Sequence, residues 1–216
     1  MPKTRKPVAD YITFEQFQQM VHEEPDPMWK LLYRYVWAFF LRVSEVVGQD
    51  THDVKAIKAY RKANKANPKK YLWNGALPGI RPCDIDVQKK TLRVYRKHGK
   101  FDVLPFPASD PGLLSDTINY AARKEIWNPE HLNTRLFPRS RRAVLTKMQL
   151  FGKTVGGQTL IHPHALRRGG GVHFRERGGI LEDLQVVYNH EKMSQTLDYI
   201  GKDKRAALKG FAELRA

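Results

Sequence analysis

The stretch His164-Ala-Leu-Arg167 is followed by Tyr188-Asn-His190 and then by Leu197-Asp-Tyr199. Residues three apart share one face of a helix, so His164 and Arg167 can meet one ligand together. The arginine side chain offers a planar fork of donors that fits two phosphate oxygens. The pair is therefore a candidate phosphate clamp. Two histidines, an arginine and a tyrosine around one phosphate suggest covalent chemistry at the tyrosine rather than metal-assisted chemistry.

A helix break is predicted between His190 and Tyr199. The two residues are nine apart, which at 3.6 residues per turn would place them on opposite faces of one straight helix. The polar run at 189–192 is suited to end one helix, and Met193 or Ser194 can begin the next. Such a turn would bring His190 and Tyr199 back toward one point.

Length and charge predict one domain that binds a polyanion. The chain has 216 residues, of which 41% are hydrophobic, and this is enough for one substantial core. Lys and Arg number 38 against 22 Asp and Glu, which gives a formal net charge of +16. Such an excess favours nucleic acid as the partner. The alternatives are a surface charged for solubility and an anionic lipid surface, which is disfavoured because no basic amphipathic terminal helix stands out.

Other classes of protein and site are disfavoured by the sequence. The longest apolar run, Tyr35 to Leu41, is far shorter than the eighteen or so residues that a membrane span needs. No apolar segment follows the basic start, so we expect an untargeted cytoplasmic protein that does not associate with membranes. Cys83 is the only cysteine, which excludes an internal disulfide and fits a reducing compartment. His162 and His164 invite a zinc hypothesis, but no third ligand cluster lies nearby.

Ordered structure is predicted to begin at Thr13, after a basic tail at 1–12. Thr13 and Gln16 form a capping-box pattern ahead of an amphipathic helix that closes near His22. A second helix carries apolar side chains on most faces, from Leu32 to Val43, and is therefore expected to be central and buried.

Arg42 is predicted to lie at the end of that second helix, with Glu45 nearby. A charge beside so apolar a segment requires a partner or an anionic ligand. A surface ion pair at i, i+3 is one interpretation, and a functional arginine that binds a phosphate is the other.

Residues 50–79 are strongly basic and are predicted to form a helix followed by a loop. Val54, Ile57 and Tyr60 recur at near-helical spacing. The candidate DNA contacts of this segment are Lys55, Lys58, Arg61, Lys62 and Lys65. They are either contacts to the DNA backbone or a solvated decoration of the surface.

A β-hairpin is predicted from Thr91 to Phe106, because the apolar residues alternate on both sides of a basic turn. Lys97 and Lys100 lie in this turn, and basic hairpin tips often touch phosphate without taking part in chemistry.

Further arginines are candidate phosphate contacts. They are Arg139, Arg141, Arg142 and Arg168. The last of them is followed by three glycines, Gly169 to Gly171, in a predicted helix. Each glycine costs about 1 kcal/mol relative to alanine in a helix interior, so the run indicates either close helix packing or a locally distorted helix.

These motifs, in this order, resemble the carboxyl-terminal signature of the tyrosine recombinases, the phage-integrase family that includes the Xer proteins. The signature is His164-x-x-Arg167, then His190, then Tyr199. Upstream, Leu-Arg-Val-Ser-Glu-Val-Val-Gly resembles the family's first catalytic motif. That resemblance implies that Arg42 is the first catalytic arginine and that Glu45 is its supporting acid.

The hairpin resembles the family's Gly-Lys-Gly-x-Lys-x-Arg-x-Val-Pro segment. Aligned on Pro105, this resemblance implies that Lys97 is the catalytic lysine and that Lys100 is the family's second lysine. The glycines that flank the family's lysine are Arg96 and His98 here, so the geometry of the turn is a departure from the family.

Two further departures concern helix ends and length. Asn189 replaces the glycine of the family's Leu-Gly-His motif and must end its helix, a role that asparagine tolerates best among the other residues. Asp84-Ile-Asp86 follows the first motif some thirty residues later than in the family. Residues 50–79 are therefore interpreted as a basic insertion.

The resemblance implies a mainly α fold with a small antiparallel β-sheet, the tyrosine recombinase catalytic-domain fold, over residues 13–216. The family's amino-terminal DNA-binding domain is expected to be missing. The implied function is a site-specific recombinase or integrase that cleaves and rejoins double-stranded DNA through a 3′-phosphotyrosyl link at Tyr199, with no metal, ATP or other cofactor. Self-assembly on DNA, from dimer to tetramer, and a prokaryotic, viral or mobile-element origin are implied as well.

Two alternatives stay open at the level of sequence. A type IB topoisomerase uses a similar set of residues, although the chain is short for one. A catalytically idle DNA-binding protein is the alternative from another class. Supercoil relaxation without site preference would indicate the topoisomerase, and absence of any covalent adduct would indicate the binding protein.

Overall fold

The computed structural model describes residues 11–49, 76–96, 100–155 and 161–200, and for 153–155 and 198–200 it describes the backbone alone. The helices are α1 (Phe14–Glu23), α2 (Pro27–Ala38), α3 (Val43–Val47), α4 (Leu113–Arg123), α5 (Arg141–Val155), α6 (Pro163–Glu176), α7 (Leu181–Tyr188) and α8 (Met193–Ile200). The strands are β1 (Ile85–Asp86), β2 (Thr91–Tyr95) and β3 (Phe101–Pro105), and a 3-10 turn, Pro82–Asp84, precedes them. The predicted combination of many helices with a small sheet is confirmed.

Helix α1 begins at the capping box that the sequence predicts. The Thr13 hydroxyl accepts the Gln16 backbone N–H at 3.3 Å, and the Gln16 side-chain oxygen accepts the Thr13 N–H at 3.0 Å. Two of the amide groups that a helix start leaves without partners are thereby satisfied. The helix closes at Glu23, one residue beyond the predicted end.

Helix α2 lies at the centre of the core. Asp26 caps it by accepting the Met28 N–H at 2.8 Å, and Pro27 occupies the first helical position, where its missing N–H has no cost. Its residues Leu32 and Val36 are fully buried. Helices α1, α4 and α6 all pack against α2, so it is the scaffold on which the other elements are placed.

The predicted position of Arg42 at the end of this long helix is wrong. Helix α2 ends at Ala38, and Phe40 has a left-handed φ of 51°, which a right-handed helix cannot continue. Arg42 is instead the residue that precedes α3. The apolar pattern continues through Phe39 and Phe40 because both rings still pack inward, Phe40 at 5.8 Å from the ring centre of Phe174.

The sheet is antiparallel, in the order β1-β2-β3. Strands β2 and β3 form the predicted hairpin, with Leu92 opposite Leu104 and Tyr95 opposite Phe101. One face of β2 is buried through Leu92 and Val94, as its alternation predicts. The short strand β1 pairs with the start of β2 and was not predicted, because two residues are too few to show a period of two.

The two ends of the chain segment that joins α3 to the sheet are paired with each other. Gln49 and Leu77 exchange both backbone hydrogen bonds, each at 2.8 Å. Residues 50–75, which contain the predicted basic helix and its candidate DNA contacts, lie outside the described residues.

Three glycines allow α6 to approach its neighbours closely. Helix α6 is continuous through Gly169, Gly170 and Gly171, all of them buried. A Cβ added at Gly169 would stand 2.1 Å from the Ile12 carbonyl oxygen, and one at Gly170 would stand 2.3 Å from the Trp37 carbonyl oxygen. Close packing, rather than a distorted helix, is therefore the reason for the glycine run.

We predict that Gly170→Ala destabilises the protein although alanine is the better helix former. The added methyl group would overlap the backbone of α2, and overpacking of this kind costs about 1–3 kcal/mol. The gain in helix propensity is about 1 kcal/mol. Because the overlap is with backbone, which yields less easily than a side chain, the cost belongs at the upper end of that range, and a net loss on the order of 2 kcal/mol is expected. Urea unfolding measures it. Gly112→Ala is the control, because a Cβ there would meet its nearest atoms at 3.5 Å and 3.6 Å; equal effects at both sites would contradict the packing argument.

Candidate active site

Helices α7 and α8 are separated by a tight turn at residues 189–192. Asn189 ends α7 with φ 53° and ψ 52°, the left-handed conformation that the sequence predicts for it. The His190 N–H then donates to the Gln185 carbonyl at 3.0 Å, which closes the helix end. Helix α8 begins at Met193 and carries Tyr199 in its last turn. The predicted helix break between His190 and Tyr199 is confirmed.

Glu45 is the buried centre of the site. Its side chain has no exposed surface, whereas that of Arg42 is 25% exposed. One oxygen of the carboxylate accepts the Arg42 backbone N–H at 2.7 Å, and the other accepts the Arg42 guanidinium at 3.0 Å. Arg42 is thus held at the start of α3 by both ends of a single carboxylate.

The pKa of Glu45 reflects a cluster of arginines around it. Burial, the largest single cause, raises this pKa, but three guanidinium groups and the hydrogen bond from the Arg42 backbone together lower it by more, so the carboxyl group titrates below its usual range. These groups belong to Arg96, Arg167 and Arg42, which come from a strand end, from α6 and from the start of α3. Residues far apart in sequence therefore converge on one carboxylate.

Arg167 is packed between α6 and α7. Its side chain is buried, and its Nη2 donates to the Tyr188 carbonyl at 3.0 Å. The guanidinium lies 4.7 Å from the centre of the Tyr188 ring, in cation–π contact. The Tyr188 hydroxyl donates back to the Arg167 carbonyl at 3.2 Å and occupies the space that a side chain at Gly171 would fill. Tyr188 therefore fixes both the arginine and the helix that carries it.

His190 joins the cluster as a neutral side chain. Its Nδ1 lies 3.0 Å from the hydroxyl of Thr196, a buried residue of α8, and its ring stacks on Tyr188 at 5.1 Å. Burial lowers the pKa of His190, and the cations of Arg167 and Arg42 lower it further, to about 4. At neutral pH the imidazole is uncharged, so it can act as a hydrogen-bond partner but not as a cation.

From this low pKa we predict a stability that falls on acidification. Unfolded His190 binds a proton near pH 6.5, whereas the folded residue resists protonation until about pH 4. The unfolded state therefore gains protons first, and stability is lost as the pH falls from about 6.5 toward 4. His190→Asn keeps a polar partner for Thr196 and does not titrate. Urea unfolding at pH 7 and pH 4.5 should show a larger loss for the wild type than for the variant; equal losses would contradict the assigned pKa.

Arg96 completes the site from the sheet. It is fully buried and forms ion pairs with Glu45 at 3.0 Å and with Asp102 at 2.7 Å. The sequence indicated only that it belongs to a basic hairpin turn, where it replaces a glycine of the family. Arg96 directly follows β2 and faces Glu45 on α3. This pairing could not be predicted from the sequence, because it depends on the packing of the hairpin against α3.

The remaining predicted catalytic residues are placed as follows. His164 lies in the first turn of α6 with an exposed side chain. The Nδ1 of His162 accepts the Ala165 N–H at 3.3 Å, so this histidine caps α6. Among the described residues, no group of three His, Cys, Asp or Glu side chains could hold a metal ion. Lys97 lies outside the described residues, and Tyr199 is described by its backbone alone.

The candidate DNA contacts of the described residues are mostly at the surface. Lys100, Arg139, Arg141 and Arg142 are exposed, and Arg168 is half-buried. The first lies where β3 begins, and the others lie at the start of α5 and on α6. Within the part of the chain that the structure describes, none of the helices has the length and apolar character needed to cross a membrane.

The sequence profile of the phage integrase family matches residues 76–205, which is more than half of the 216-residue chain. The chain belongs to the phage integrase family. The match includes α6, α7 and α8, so the residues that meet at the turn after α7 come from the part of the chain that the family shares.

Individual recombinases resemble this chain in sequence or in fold. The tyrosine recombinase XerC of Actinobacillus pleuropneumoniae serotype 7 (strain AP76) is 26% identical over 131 residues, which are 59% of this chain and 42% of that relative. The chain thus spans less than half the length of this curated relative. XerA recombinase has a TM-score of 0.65 at 15% identity, covering 99% of this chain and 67% of that one. A XerH site-specific recombinase bound to palindromic difH substrate, in a post-cleavage complex, has a TM-score of 0.62 at 11% identity, covering 99% and 55%. The fold is that of a tyrosine recombinase catalytic domain.

Three residues of this phage integrase site were missed at the level of sequence. Arg96, Tyr188 and Thr196 support the cluster rather than form its signature, and each is placed by tertiary contacts. A signal existed for Thr196, because it lies six residues after His190, on the helix that the predicted break would fold back. The triple-glycine run gave a weaker signal for a bulky partner, which is Tyr188.

Proposed function

We propose that this protein is a site-specific DNA recombinase that cleaves and rejoins double-stranded DNA through a 3′-phosphotyrosyl intermediate at Tyr199, without metal or ATP. The observation that carries the proposal is the convergence of Arg42 and Arg167 on one buried carboxylate, with His190 close enough for both cations to lower its pKa and hydrogen-bonded to the helix that carries Tyr199. Arginines provide the charge and the donor geometry that a phosphate needs.

The proposed reaction begins with attack of the Tyr199 oxygen on the scissile phosphorus. The reference pKa of tyrosine is near 10, so the proton must be removed as the bond forms, and the exposed His164 is the candidate base. The bond from phosphorus to the 5′ oxygen breaks, and Lys97 supplies the proton that this oxygen needs. Reversal with the 5′ hydroxyl of another strand rejoins the DNA, so no high-energy cofactor is consumed.

The arginines stabilise the charge that develops on the non-bridging oxygens. Arg42 is the more exposed of the two, and Glu45 fixes its position through two hydrogen bonds. Loss of one such preorganised donor typically costs about 3 kcal/mol in the transition state. His190, neutral at pH 7, adds a hydrogen bond rather than a charge.

The same proposal extends to domains, partners and origin. Residues 13–216 act as the catalytic domain, with 1–12 as a basic tail and 50–79 as an inserted segment, and the protein assembles into dimers or tetramers on DNA. The XerH relative was crystallised on its difH substrate, and the XerC relative is bacterial. These two proteins support DNA as the partner and a prokaryotic origin. A cytoplasmic location and a viral or mobile-element source belong to the same proposal.

A nicked suicide duplex tests the proposal. A library of duplexes is first enriched by binding to the protein, and a nick is then placed so that the short fragment released by cleavage diffuses away. The expected result is a protein–DNA adduct that survives denaturation and that forms equally well in excess EDTA, because the arginines and Lys97 supply the charge that a metal would bring. No adduct in any duplex, or an adduct only with added metal, would overturn the proposed mechanism.

The basic insertion gives a separate prediction about DNA affinity. If the segment follows the DNA backbone, neutralising Lys58, Arg61, Lys62 and Lys65 should flatten the slope of log affinity against log salt by about one unit per lost contact. The control neutralises four exposed cations outside the insertion, which are Lys89, Lys90, Arg123 and Lys124. An equal change in both variants, or no change in the first, would show that the insertion makes no specific contact with the DNA backbone.

A further inference from the structure

Arg96 connects three separate elements of the fold. Its Nε donates to Asp102 on β3 at 2.7 Å, and its Nη1 donates to Glu45 on α3 at 3.0 Å. Its Nη2 donates to the carbonyl of Val187, in the last turn of α7, at 3.0 Å. The side chain is fully buried, and each of its three nitrogens has a different partner.

A hairpin does not require such a residue. Burial of a guanidinium is expensive and is tolerated only with well-placed partners, whereas the β2–β3 pairing is complete without it. The Arg96 N–H already closes the hairpin by donating to the Lys100 carbonyl at 2.8 Å. Two of the three side-chain contacts, those with Glu45 and Val187, therefore serve the position of other elements rather than the hairpin itself.

The contact with Glu45 divides that carboxylate between two arginines. The oxygen that faces the Arg42 side chain is Oε1, and the oxygen that faces Arg96 is Oε2. A carboxylate bound on both oxygens cannot rotate without losing a charged hydrogen bond. Arg96 thus sets the orientation from which Glu45 holds Arg42.

The contact with α7 places a second arginine at the end of that helix. Arg96 takes the carbonyl of Val187, and Arg167 takes the next one, that of Tyr188. Cations are favourable at a helix carboxyl end, where the last carbonyls have no partner within the helix. These two consecutive carbonyls directly precede the turn that carries His190.

We propose that Arg96 is a positioning residue that holds the Arg42–Glu45 pair and the end of α7 before His190 at fixed positions relative to the β2–β3 hairpin. This inference rests on the proposed function, because it concerns the rate of the cleavage step. Arg96 contacts no substrate in this role; it acts through Glu45 and through the helix end.

Three variants separate positioning from simple stabilisation. Arg96→Met removes both the charge and the donors, and Arg96→Lys keeps the charge but not the three-way geometry. Arg34→Met is the matched control, because Arg34 also makes two close carboxylate pairs, with Asp110 and Asp116, and its side chain is only 15% exposed. All three should bind duplex DNA with wild-type affinity at a temperature where each is folded.

Single-turnover cleavage on the suicide duplex gives the first readout. A misplacement on the order of 1 Å at a reacting centre costs about 10²-fold in rate, so we expect a loss of that order for Arg96→Met and a smaller loss for Arg96→Lys. Arg34→Met should cleave at the wild-type rate even though it is less stable. Wild-type rates in both Arg96 variants, or equal losses at Arg34 and Arg96, would overturn the inference.

The titration of Glu45 gives a readout that a merely structural role would not change. The charged groups that face Glu45 are Arg42, which directly precedes its helix, Arg96 from the hairpin and Arg167 from α6. Arg96 is the strongest of these in lowering the Glu45 pKa, so Arg96→Met should raise this pKa, measured by NMR of side-chain-labelled glutamate. Arg96→Lys should leave the Glu45 pKa close to the wild-type value, and identical titrations in all three proteins would contradict the inference.

A measurement that does not depend on cleavage keeps the two proposals apart. In a double-mutant cycle of Arg96→Met with Glu45→Gln, urea unfolding should show coupling between the two sites. If the wild type forms no adduct but the cycle shows coupling, the proposed recombinase function is wrong. The Arg96–Glu45 contact that holds the hairpin and α3 together is then still supported. Additive effects in the cycle overturn the Arg96 inference, whether or not the wild type cleaves DNA.

Discussion

Tyr199→Phe should abolish the covalent protein–DNA adduct completely while duplex affinity stays within a few fold of the wild type. The substitution removes one oxygen, and that oxygen is the proposed nucleophile. Phosphate contacts, which dominate DNA affinity, come from arginine and lysine side chains that the variant retains. The measurement is denaturing electrophoresis of the suicide-duplex reaction, with affinity measured in parallel by anisotropy.

The control for this variant removes a tyrosine hydroxyl elsewhere. Tyr95 lies on β2, where its ring meets the Arg81 guanidinium at 5.3 Å, and Tyr95→Phe retains that ring. It should form adduct at the wild-type rate. An adduct that survives in Tyr199→Phe would show that another residue is the nucleophile, and loss of adduct in both variants would indicate damage to the fold.

Lys97→Ala should slow cleavage of ordinary DNA by about 10²–10⁴-fold, the usual contribution of a general acid. A leaving alkoxide is strongly basic and needs a proton, whereas a thiolate leaves without one. A duplex with sulfur at the bridging 5′ position should therefore restore most of the rate to Lys97→Ala. Single-turnover rates on the two substrates measure the rescue.

Lys100→Ala is the matched control for the general acid, because both lysines come from the same hairpin connection. Lys100 is exposed, and its backbone carbonyl pairs with Arg96. This variant should show little sulfur rescue, whatever its rate on ordinary DNA. Rescue of Lys100→Ala in place of Lys97→Ala would move the acid three residues along the chain and would mean that the turn is built differently from that of the family.

The parts of the fold that sequence could predict are those fixed by local chemistry. The capping box at Thr13 and the left-handed Asn189 depend on residues within a few positions of one another, and both were predicted. The end of α2 could not be predicted in this way. Apolar periodicity runs through Phe39 and Phe40, whereas the change of φ at Phe40 is visible only in the backbone.

In the candidate site, too, the sequence predicted what depends on local spacing and did not predict what depends on tertiary packing. Spacing identified the residues of the signature, because a recombinase motif is a pattern in sequence. The spacing did not show that Glu45 is shared between Arg42 and Arg96, because that sharing depends on where the hairpin meets α3. The choice between a packed and a distorted helix at the glycine run also needed the neighbouring backbone, since the residues that approach it are at Ile12 and Trp37.

The paired hydrogen bonds between Gln49 and Leu77 affect which changes of sequence length the fold can tolerate during evolution. Because residues 49 and 77 are held together by these hydrogen bonds, the segment between them can change in length with little effect on the rest of the fold. The entropy of closing a loop grows only with the logarithm of its length, by roughly 0.6 kcal/mol for each doubling. Selection can therefore lengthen, shorten or replace this segment as a separate unit without moving the arginines that surround Glu45.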